Sequence, residues 1–157
     1  MAREIERKYL VADPSLLAEL EGVAFKQGYI PVNEGVSVRI RLMGDRAVLT
    51  LKGRTEGIGR SEFEYEIPFA DAEAMLEEFC TRPLIEKTRY KVEHAGKIWE
   101  VDIFAGDNEG LVLAEVELES EDEVVEKPPW VGEEVSDDPR YYNASLVHNP
   151  YCKWKDV

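Results

Sequence analysis

The stretch Glu4-Ile5-Glu6-Arg7-Lys8 (EIERK, residues 4–8) places two carboxylates and an ammonium group at every second position. Alternate side chains of an extended strand share one face, so Glu4, Glu6 and Lys8 project together and the residues between them project the other way. The β-favouring residues 9–11 that follow predict a strand. The fold depends on where this charged face points.

Charged residues occupy alternate positions, and so one strand face, along most of the chain. Period-2 alternation predicts strands near residues 3–11, 24–31, 36–43, 46–54, 60–69, 84–93, 97–105 and 111–119. Most of their polar faces carry charges of one sign: Arg39 and Arg41; Lys52; Glu62, Glu64 and Glu66; Lys87, Arg89 and Lys91; Glu100 and Asp102; Glu115, Glu117 and Glu119. Glycine-containing breaks at 43–46 and 94–97 predict hairpins.

Helix signals are fewer and short. They predict a helix over residues 13–22 with Asp13 as N-cap, a helix over 71–79 with Asp71 as N-cap, a helix start capped by Ser120 and Glu123, and a helix through 141–147 opened by Asp138 and Pro139. The aromatic residues near the C-terminus are expected to cover the outer face of the strands, to close one end of a barrel if the strands form one, or to form a dimer surface.

Composition limits the class of protein. The 157 residues, 44% of them hydrophobic, suit a single domain spanning 1–157. No apolar stretch reaches the ~20 residues of a membrane span and no signal peptide opens the chain, which predicts a cytoplasmic protein without a membrane partner. A net charge of −14 opposes nucleic-acid binding. Cys80 and Cys152 lack metal-site spacing and are expected to be reduced.

The sorted charges fit two arrangements, and alternation alone does not choose between them. In the first, an open sheet simply exposes its charged face to water and cross-strand pairs contribute about 0.2–1 kcal/mol each. In the second, the sheet closes into a barrel with its charged faces inside. Enclosed charges disfavour folding unless they are compensated, so such a barrel would serve a ligand that needs both signs.

A polyanion with bound divalent metal is such a ligand. Forked and point-charge donors suit phosphate oxygens, and the candidates are Arg39, Arg41, Lys52, Lys87 and Arg89. Carboxylates are the hard ligands of Mg²⁺ or Mn²⁺, and the candidates are Glu4, Glu6, Glu62, Glu64, Asp102, Glu115 and Glu117.

The same residues resemble the CYTH domains, also called triphosphate tunnel metalloenzymes. The family's N-terminal ExExK is matched by Glu4, Glu6 and Lys8, and its later RxR, Lys, ExE, KxR, acidic and closing ExE strands follow in order over residues 3–119. The resemblance implies an α+β, mainly β fold: an eight-stranded antiparallel closed tunnel barrel with a charged interior and flanking helices. It also allows a homodimer.

Within the family, the compact layout most resembles bacterial inorganic triphosphatases. The function expected from the resemblance is divalent-metal-dependent hydrolysis of tripolyphosphate to diphosphate and phosphate. Alternatives in the same family are a thiamine or nucleoside triphosphatase or an adenylate cyclase. An alternative of another class is a non-catalytic polyphosphate-binding module.

The expected roles follow from the chemistry of phosphoryl transfer, in which position and charge dominate. Lys8 is expected to contact phosphate with the other cations, with a role as general base as the alternative, and Tyr29 is expected to assist Lys52 in proton transfer. One metal ion is expected at Glu4, Glu6, Glu115 and Glu117. A second is expected at Glu62, Glu64 or Asp102, where it would position the attacking water.

Overall fold

The computed structural model describes residues 3–33 and 35–154, and in them nine strands dominate. The strands are β1 (Arg3–Val11), β2 (Val23–Ile30), β3 (Ser37–Met43), β4 (Arg46–Lys52), β5 (Gly59–Glu66), β6 (Ile85–His94), β7 (Lys97–Phe104), β8 (Val112–Glu117) and β9 (Val131–Glu134). The α-helices are α1 (Phe69–Glu78) and α2 (Asn143–His148). The 3₁₀ helices are Pro14–Glu19, Gly106–Asn108, Pro139–Tyr141 and Tyr151–Lys153.

Eight of these strands close into a barrel. The hydrogen-bonded order is β5-β4-β3-β2-β6-β7-β8-β1, every neighbour is antiparallel, and β1 also pairs with β5 where Glu4 lies opposite Arg60. β9 pairs with the later part of β1, where Tyr9 lies opposite Glu134. The predicted closed eight-stranded barrel is therefore confirmed, and the open-sheet alternative is wrong.

The main apolar core lies outside the barrel wall. Outward-facing Trp99, Val101 and Val116 are fully buried beneath the 3₁₀ helix Pro14–Glu19 and the segment that leads into β9. On another side, α1 covers Ile40 of β3 with its Leu76. Each large side chain buried in this way stabilises the fold by about 1.5–3 kcal/mol, which leaves the inner faces free to carry charge.

The C-terminal segment closes one end of the barrel. At that end the inward-facing residues are apolar, and Ile85 and Leu113 pack against Leu146 and Val147 of α2. The aromatic members of this base are Tyr141, Tyr151 and Trp154. Closure of a barrel end is thus confirmed for these aromatics, whereas Trp130 packs edge-on against Trp99 on the outer face, with ring centroids 5.8 Å apart.

The first two helix predictions were correct in place but wrong in detail. Residues Pro14–Glu19 form a 3₁₀ helix, because only Leu17 in this stretch is buried and no apolar stripe supports a longer α-helix. Asp13 does cap it and accepts a hydrogen bond from the backbone N–H of Ser15 at 3.0 Å. α1 begins at Phe69, so Asp71 lies in the first turn and is not the N-cap.

The two later helix predictions differ more. No helix follows Ser120: the carboxylate of Glu123 accepts from the backbone N–H of Glu119 at 2.7 Å, and Pro128 and Pro129 would end a helix begun there. The predicted helix through 141–147 is divided by extended Tyr142 into a 3₁₀ turn and α2. No described helix has the length and apolar character to cross a membrane.

Candidate active site

The barrel encloses a cavity of about 820 Å³ whose wall is charged. Strands contribute to it through one half of their period-2 pattern, which faces inward as the family resemblance implied. The predicted site residues at its surface are Glu4, Glu6, Lys8, Tyr29, Arg39, Arg41, Lys52, Glu62, Glu64, Lys87, Arg89, Glu115 and Glu117. Acidic and basic side chains therefore converge on one enclosed space.

Carboxylates crowd together where β1 meets β8. In the register of these strands Glu6 lies opposite Glu117 and Lys8 opposite Glu115. Burial, together with the nearby carboxylates of Glu115 and Glu4, raises the pKa of Glu6 well above its ordinary value. Burial opposes the ionisation of Glu115. The positive charge of Lys8, a hydrogen bond with Glu6 and the positive charge of Arg89 outweigh this effect and hold the pKa of Glu115 well below its usual range.

This acidic wall fits a divalent cation. Its oxygens are hard ligands, and the pKa of Glu6 is raised first by burial and then by the neighbouring carboxylates of Glu115 and Glu4, whose charge a bound cation would offset. In the described part of the chain, however, no three carboxylate, imidazole or thiolate groups are gathered closely enough to hold a metal ion. Lys52 pairs with two of these carboxylates, Glu4 at 2.9 Å and Glu62 at 3.4 Å.

The cationic wall is built around an aromatic ring. The guanidinium carbons of Arg41 and Arg89 lie 4.7 and 4.9 Å from the centroid of the buried Phe25 ring, and the Lys87 ammonium lies 6.0 Å from it. Such cation–π contacts stabilise charge away from bulk water. Burial and the neighbouring Arg39 and Arg89 nevertheless lower the pKa of Arg41 to about 9.

Arg39 retains donor capacity. Its Nη2 donates to Thr50 Oγ1 at 3.2 Å and lies 3.6 Å from a Glu64 oxygen. Its Nε is buried and has no hydrogen-bond partner among the residues that the structure describes. A buried donor at a cavity wall is the kind of group that an anionic oxygen would satisfy.

Asp102 lies behind this wall. Its side chain is 2% exposed, and its oxygens lie 2.7 Å from Lys87 Nζ and 2.8 Å from Arg89 Nε. Despite the opposing effect of burial, these two cations lower the pKa of the Asp102 carboxyl. Burial in turn lowers the pKa of Lys87 to about 7, against the opposing charge of Asp102. Of the predicted metal ligands, Asp102 is the one that does not line the cavity.

The predicted proton-transfer residues share the inner surface. Tyr29 on β2 lies opposite Arg39 on β3, and the next strand carries Lys52. The hydroxyl oxygen of Tyr29 accepts a hydrogen bond from Gln27 Nε2 at 3.4 Å. Lys8 donates from Nζ to the backbone oxygen of Tyr141 at 3.1 Å.

Further residues of the site were not predicted, among them Arg60, Phe25, Gln27 and Asn143. Arg60, 3.7 Å from Glu4, extends the period-2 face of Glu62 and Glu64, so the alternation contained a signal for it. Phe25 and Gln27 extend the face of Tyr29 but are uncharged. Asn143 comes from α2 and carries no local signal. These neutral residues are identified by the tertiary structure alone.

Comparison with known proteins gives the family. A family model described as the CYTH domain matches residues 2–145. The chain belongs to the CYTH family. The resemblance read from ExExK and the strands after it is therefore confirmed over nearly the whole chain.

Named relatives of this CYTH chain are similar along their full length. An inorganic triphosphatase of Acetivibrio thermocellus is 49% identical over 156 residues, which are 99% of this chain and 100% of the relative. An inorganic triphosphatase of Nitrosomonas europaea is 40% identical over 149 residues, 92% of this chain and 96% of the relative. The crystal structure of an inorganic triphosphatase aligns at a TM-score of 0.65 and 39% identity, covering 92% of this chain and 97% of its own.

Proposed function

We propose that this CYTH protein is a divalent-metal-dependent inorganic triphosphatase that hydrolyses tripolyphosphate to diphosphate and phosphate. The observation that carries the proposal is the cavity of about 820 Å³ inside the barrel, with both cations and carboxylates on its wall. The relatives that are 49% and 40% identical and named inorganic triphosphatase support the same substrate. A capture module would need the cations but not the crowded carboxylates.

The cationic wall binds the phosphate chain in this proposal. Arg39 and Arg41 offer forked donors, and the free Arg39 Nε is the clearest vacant donor. Lys52 and Lys8 add point charges from neighbouring strands. Arg89 and Lys87 hold positive charge deeper in the cavity. Fixed donors of this kind stabilise the charge that spreads over phosphoryl oxygens during transfer.

The acidic wall holds divalent metal. Glu4, Glu6, Glu115 and Glu117 would supply the ligands of one site and Glu62 with Glu64 those of a second, for Mg²⁺ or Mn²⁺. Bound metal supplies charge neutralisation of phosphate oxygens and activation of water. Asp102 has a different role here: its two oxygens already bond to Lys87 and Arg89, so it orients these cations and keeps them charged.

Proton transfer is assigned to Tyr29 with Lys52. Because the Tyr29 oxygen accepts from Gln27, its own hydroxyl proton remains available to a partner in the cavity. Lys8 is assigned to phosphate contact, since its ammonium is held by the Tyr141 carbonyl and lies 3.9 Å from Glu115. The homodimer and the cytoplasmic location stay predictions.

Phosphate release tests the proposal directly. Tripolyphosphate, ATP, thiamine triphosphate and diphosphate are each assayed with Mg²⁺, with Mn²⁺ and with chelator. We expect metal-dependent release from tripolyphosphate at a much higher kcat/KM than from the other three. Preferential release from ATP or thiamine triphosphate would move the substrate to an organic triphosphate. Release that persists in chelator, or none at all, would overturn the proposal.

A further inference from the structure

Two uncharged amides join the cationic wall to the closed base of the barrel. Gln27 on β2 is fully buried, and its Oε1 accepts from Arg41 Nε at 2.6 Å. Its Nε2 donates to Asn143 Oδ1 at 3.1 Å. The same Asn143 oxygen accepts from Lys87 Nζ at 2.9 Å. A continuous chain of hydrogen bonds thus runs from Arg41 through both amides to Lys87.

The ends of this chain determine the orientation of both amides. A guanidinium can only donate, and so can Lys87 in its charged ammonium form, so an oxygen faces Arg41 and an oxygen faces the charged Lys87. Gln27 then has only its NH₂ left to meet Asn143, and Asn143 meets it with the oxygen that also serves Lys87. Rotation of either amide would put donor against donor. The arrangement therefore has one consistent solution, and it holds two cations in fixed places.

Packing alone does not account for these amides. The surrounding base is otherwise apolar, with Ile85, Leu113 and Leu146 all buried. Burying an amide costs free energy unless each polar group is bonded, and an apolar side chain would fill the same space without that cost. The groups that gain from the amides are the cations: Gln27 accepts from Arg41 Nε, and Asn143 gives Lys87 a second acceptor beside the Asp102 carboxylate.

We propose that Gln27 and Asn143 are positioning residues that fix Arg41 and Lys87 for binding of the phosphate chain. Asn143 begins α2, so the C-terminal segment contributes to the active site as well as closing the barrel. Gln27 also orients the Tyr29 hydroxyl. This role rests on the proposed function, because it assumes that Arg41 and Lys87 bind tripolyphosphate.

The variants Gln27→Met and Asn143→Leu, and the double variant, test this role. Each approximates the shape of the native side chain but removes the hydrogen bonds. The matched control is Asn108→Leu: Asn108 is buried and its oxygen accepts from the backbone N–H of Tyr151 at 2.8 Å, so it holds the same C-terminal segment without contacting a cation of the cavity. Circular dichroism verifies folding. Calorimetry measures tripolyphosphate binding in chelator, and steady-state assays with Mn²⁺ give KM and kcat.

Each single variant is expected to weaken tripolyphosphate binding and raise KM by roughly tenfold; kcat should fall less than about threefold in Asn143→Leu and further in Gln27→Met, which also loses the contact with the Tyr29 hydroxyl. The double variant should lose little more than the worse single variant, because both residues belong to one chain of hydrogen bonds. The control should stay within about twofold. The role would be overturned if the folded single variants bound tripolyphosphate and gave a KM as the wild type does. It would also be overturned if the control lost as much affinity as the single variants, or if the affinity losses of the two single variants multiplied in the double variant.

Two further outcomes separate the possible failures. If the wild type binds tripolyphosphate but releases no phosphate, the proposed function fails. The positioning role is then still decided by the calorimetric measurements of tripolyphosphate binding. If the wild type does not bind it, both fail. If Asn143→Leu does not fold, Asn143→Ala replaces it. If no variant at either position folds, the two amides are required for folding and the positioning role is overturned.

Discussion

The Lys52 ammonium lies 2.9 Å from both carboxylate oxygens of Glu4, so a residue of the cationic wall and a residue of the acidic wall neutralise each other. A phosphate chain attracts Lys52 and a divalent cation attracts Glu4. Binding of the phosphate chain to Lys52 therefore frees Glu4 for the metal ion, and binding of the metal ion to Glu4 frees Lys52 for the phosphate chain. This relationship explains how the carboxylates can be compensated in the free protein and still serve as metal ligands.

Removing Lys52 should have opposite effects on metal binding and on turnover. In Lys52→Gln, Glu4 and Glu62 lose their cationic partner, so affinity for Mn²⁺ without substrate should rise roughly tenfold, the effect of removing about 1.4 kcal/mol of competition. Turnover of tripolyphosphate should fall by on the order of 100-fold. Calorimetry and phosphate release measure both. Lys26→Gln, on an exposed position, is the control, and weaker Mn²⁺ binding in Lys52→Gln would contradict the competition.

The double variant Glu4→Ala/Glu6→Ala should abolish turnover while the barrel stays folded. Both residues lie on the inner face of β1, and the core that stabilises this strand is on its other face. Phosphate release should fall by on the order of 1,000-fold, with an unchanged circular dichroism spectrum. Glu77→Ala/Glu78→Ala on exposed α1 removes equal charge as the control. Substantial activity in the Glu4/Glu6 variant would end their metal role.

Metal binding should release protons. Because the pKa of Glu6 is raised, this carboxyl holds a proton to a higher pH than an ordinary glutamate, and metal must displace it. Mn²⁺ affinity should therefore rise with pH until Glu6 is ionised in the free protein, and then level off. Titrations in buffers of different ionisation enthalpy count the protons. Glu6→Gln should lose that release, and an equal release in this variant would place the proton elsewhere.

Asp102→Asn should distinguish a positioning role from metal ligation. The substitution leaves Lys87 and Arg89 without their shared carboxylate, and losing one partner of a buried pair typically costs about 3–5 kcal/mol in the free energy of unfolding. Urea denaturation measures this loss, and Mn²⁺ affinity should stay within about threefold of wild type. Exposed Asp107→Asn is the control. Unchanged stability together with a tenfold loss of Mn²⁺ affinity would restore Asp102 as a ligand.

Tyr29→Phe should alter the pH dependence of kcat. The substitution removes the hydroxyl that Gln27 orients and keeps the ring that packs at the base. We expect kcat to fall by roughly 10- to 100-fold, the contribution of a general acid or base, with little change in KM. Tyr65→Phe, exposed on the outer face of β5, is the matched control. An unchanged pH profile in Tyr29→Phe would remove Tyr29 from proton transfer.

The alternation of residues along the sequence predicted those features of the structure that depend only on residues close together in the chain. The strand positions, the two faces of each strand and the charged members of the site all follow from period-2 alternation. The elements that alternation missed depend on distant partners. β9 forms only because β5 pairs with the first part of β1 and leaves the rest of that edge open. The helix expected after Ser120 is absent because nearby prolines and the contacts of Glu123 favour an irregular segment.

The sequence by itself determined that Glu4, Glu6 and Lys8 share a face, because strand geometry places alternate side chains on one side whatever the rest of the chain does. Only the tertiary structure decided that this face is the inside. Closure depends on pairing such as Glu4 with Arg60, across more than 50 residues, and on a C-terminal segment that seals one end. Only that assembly brings Asn143 to Gln27 and Lys87, because the partners of a buried amide are set by folding over long distances.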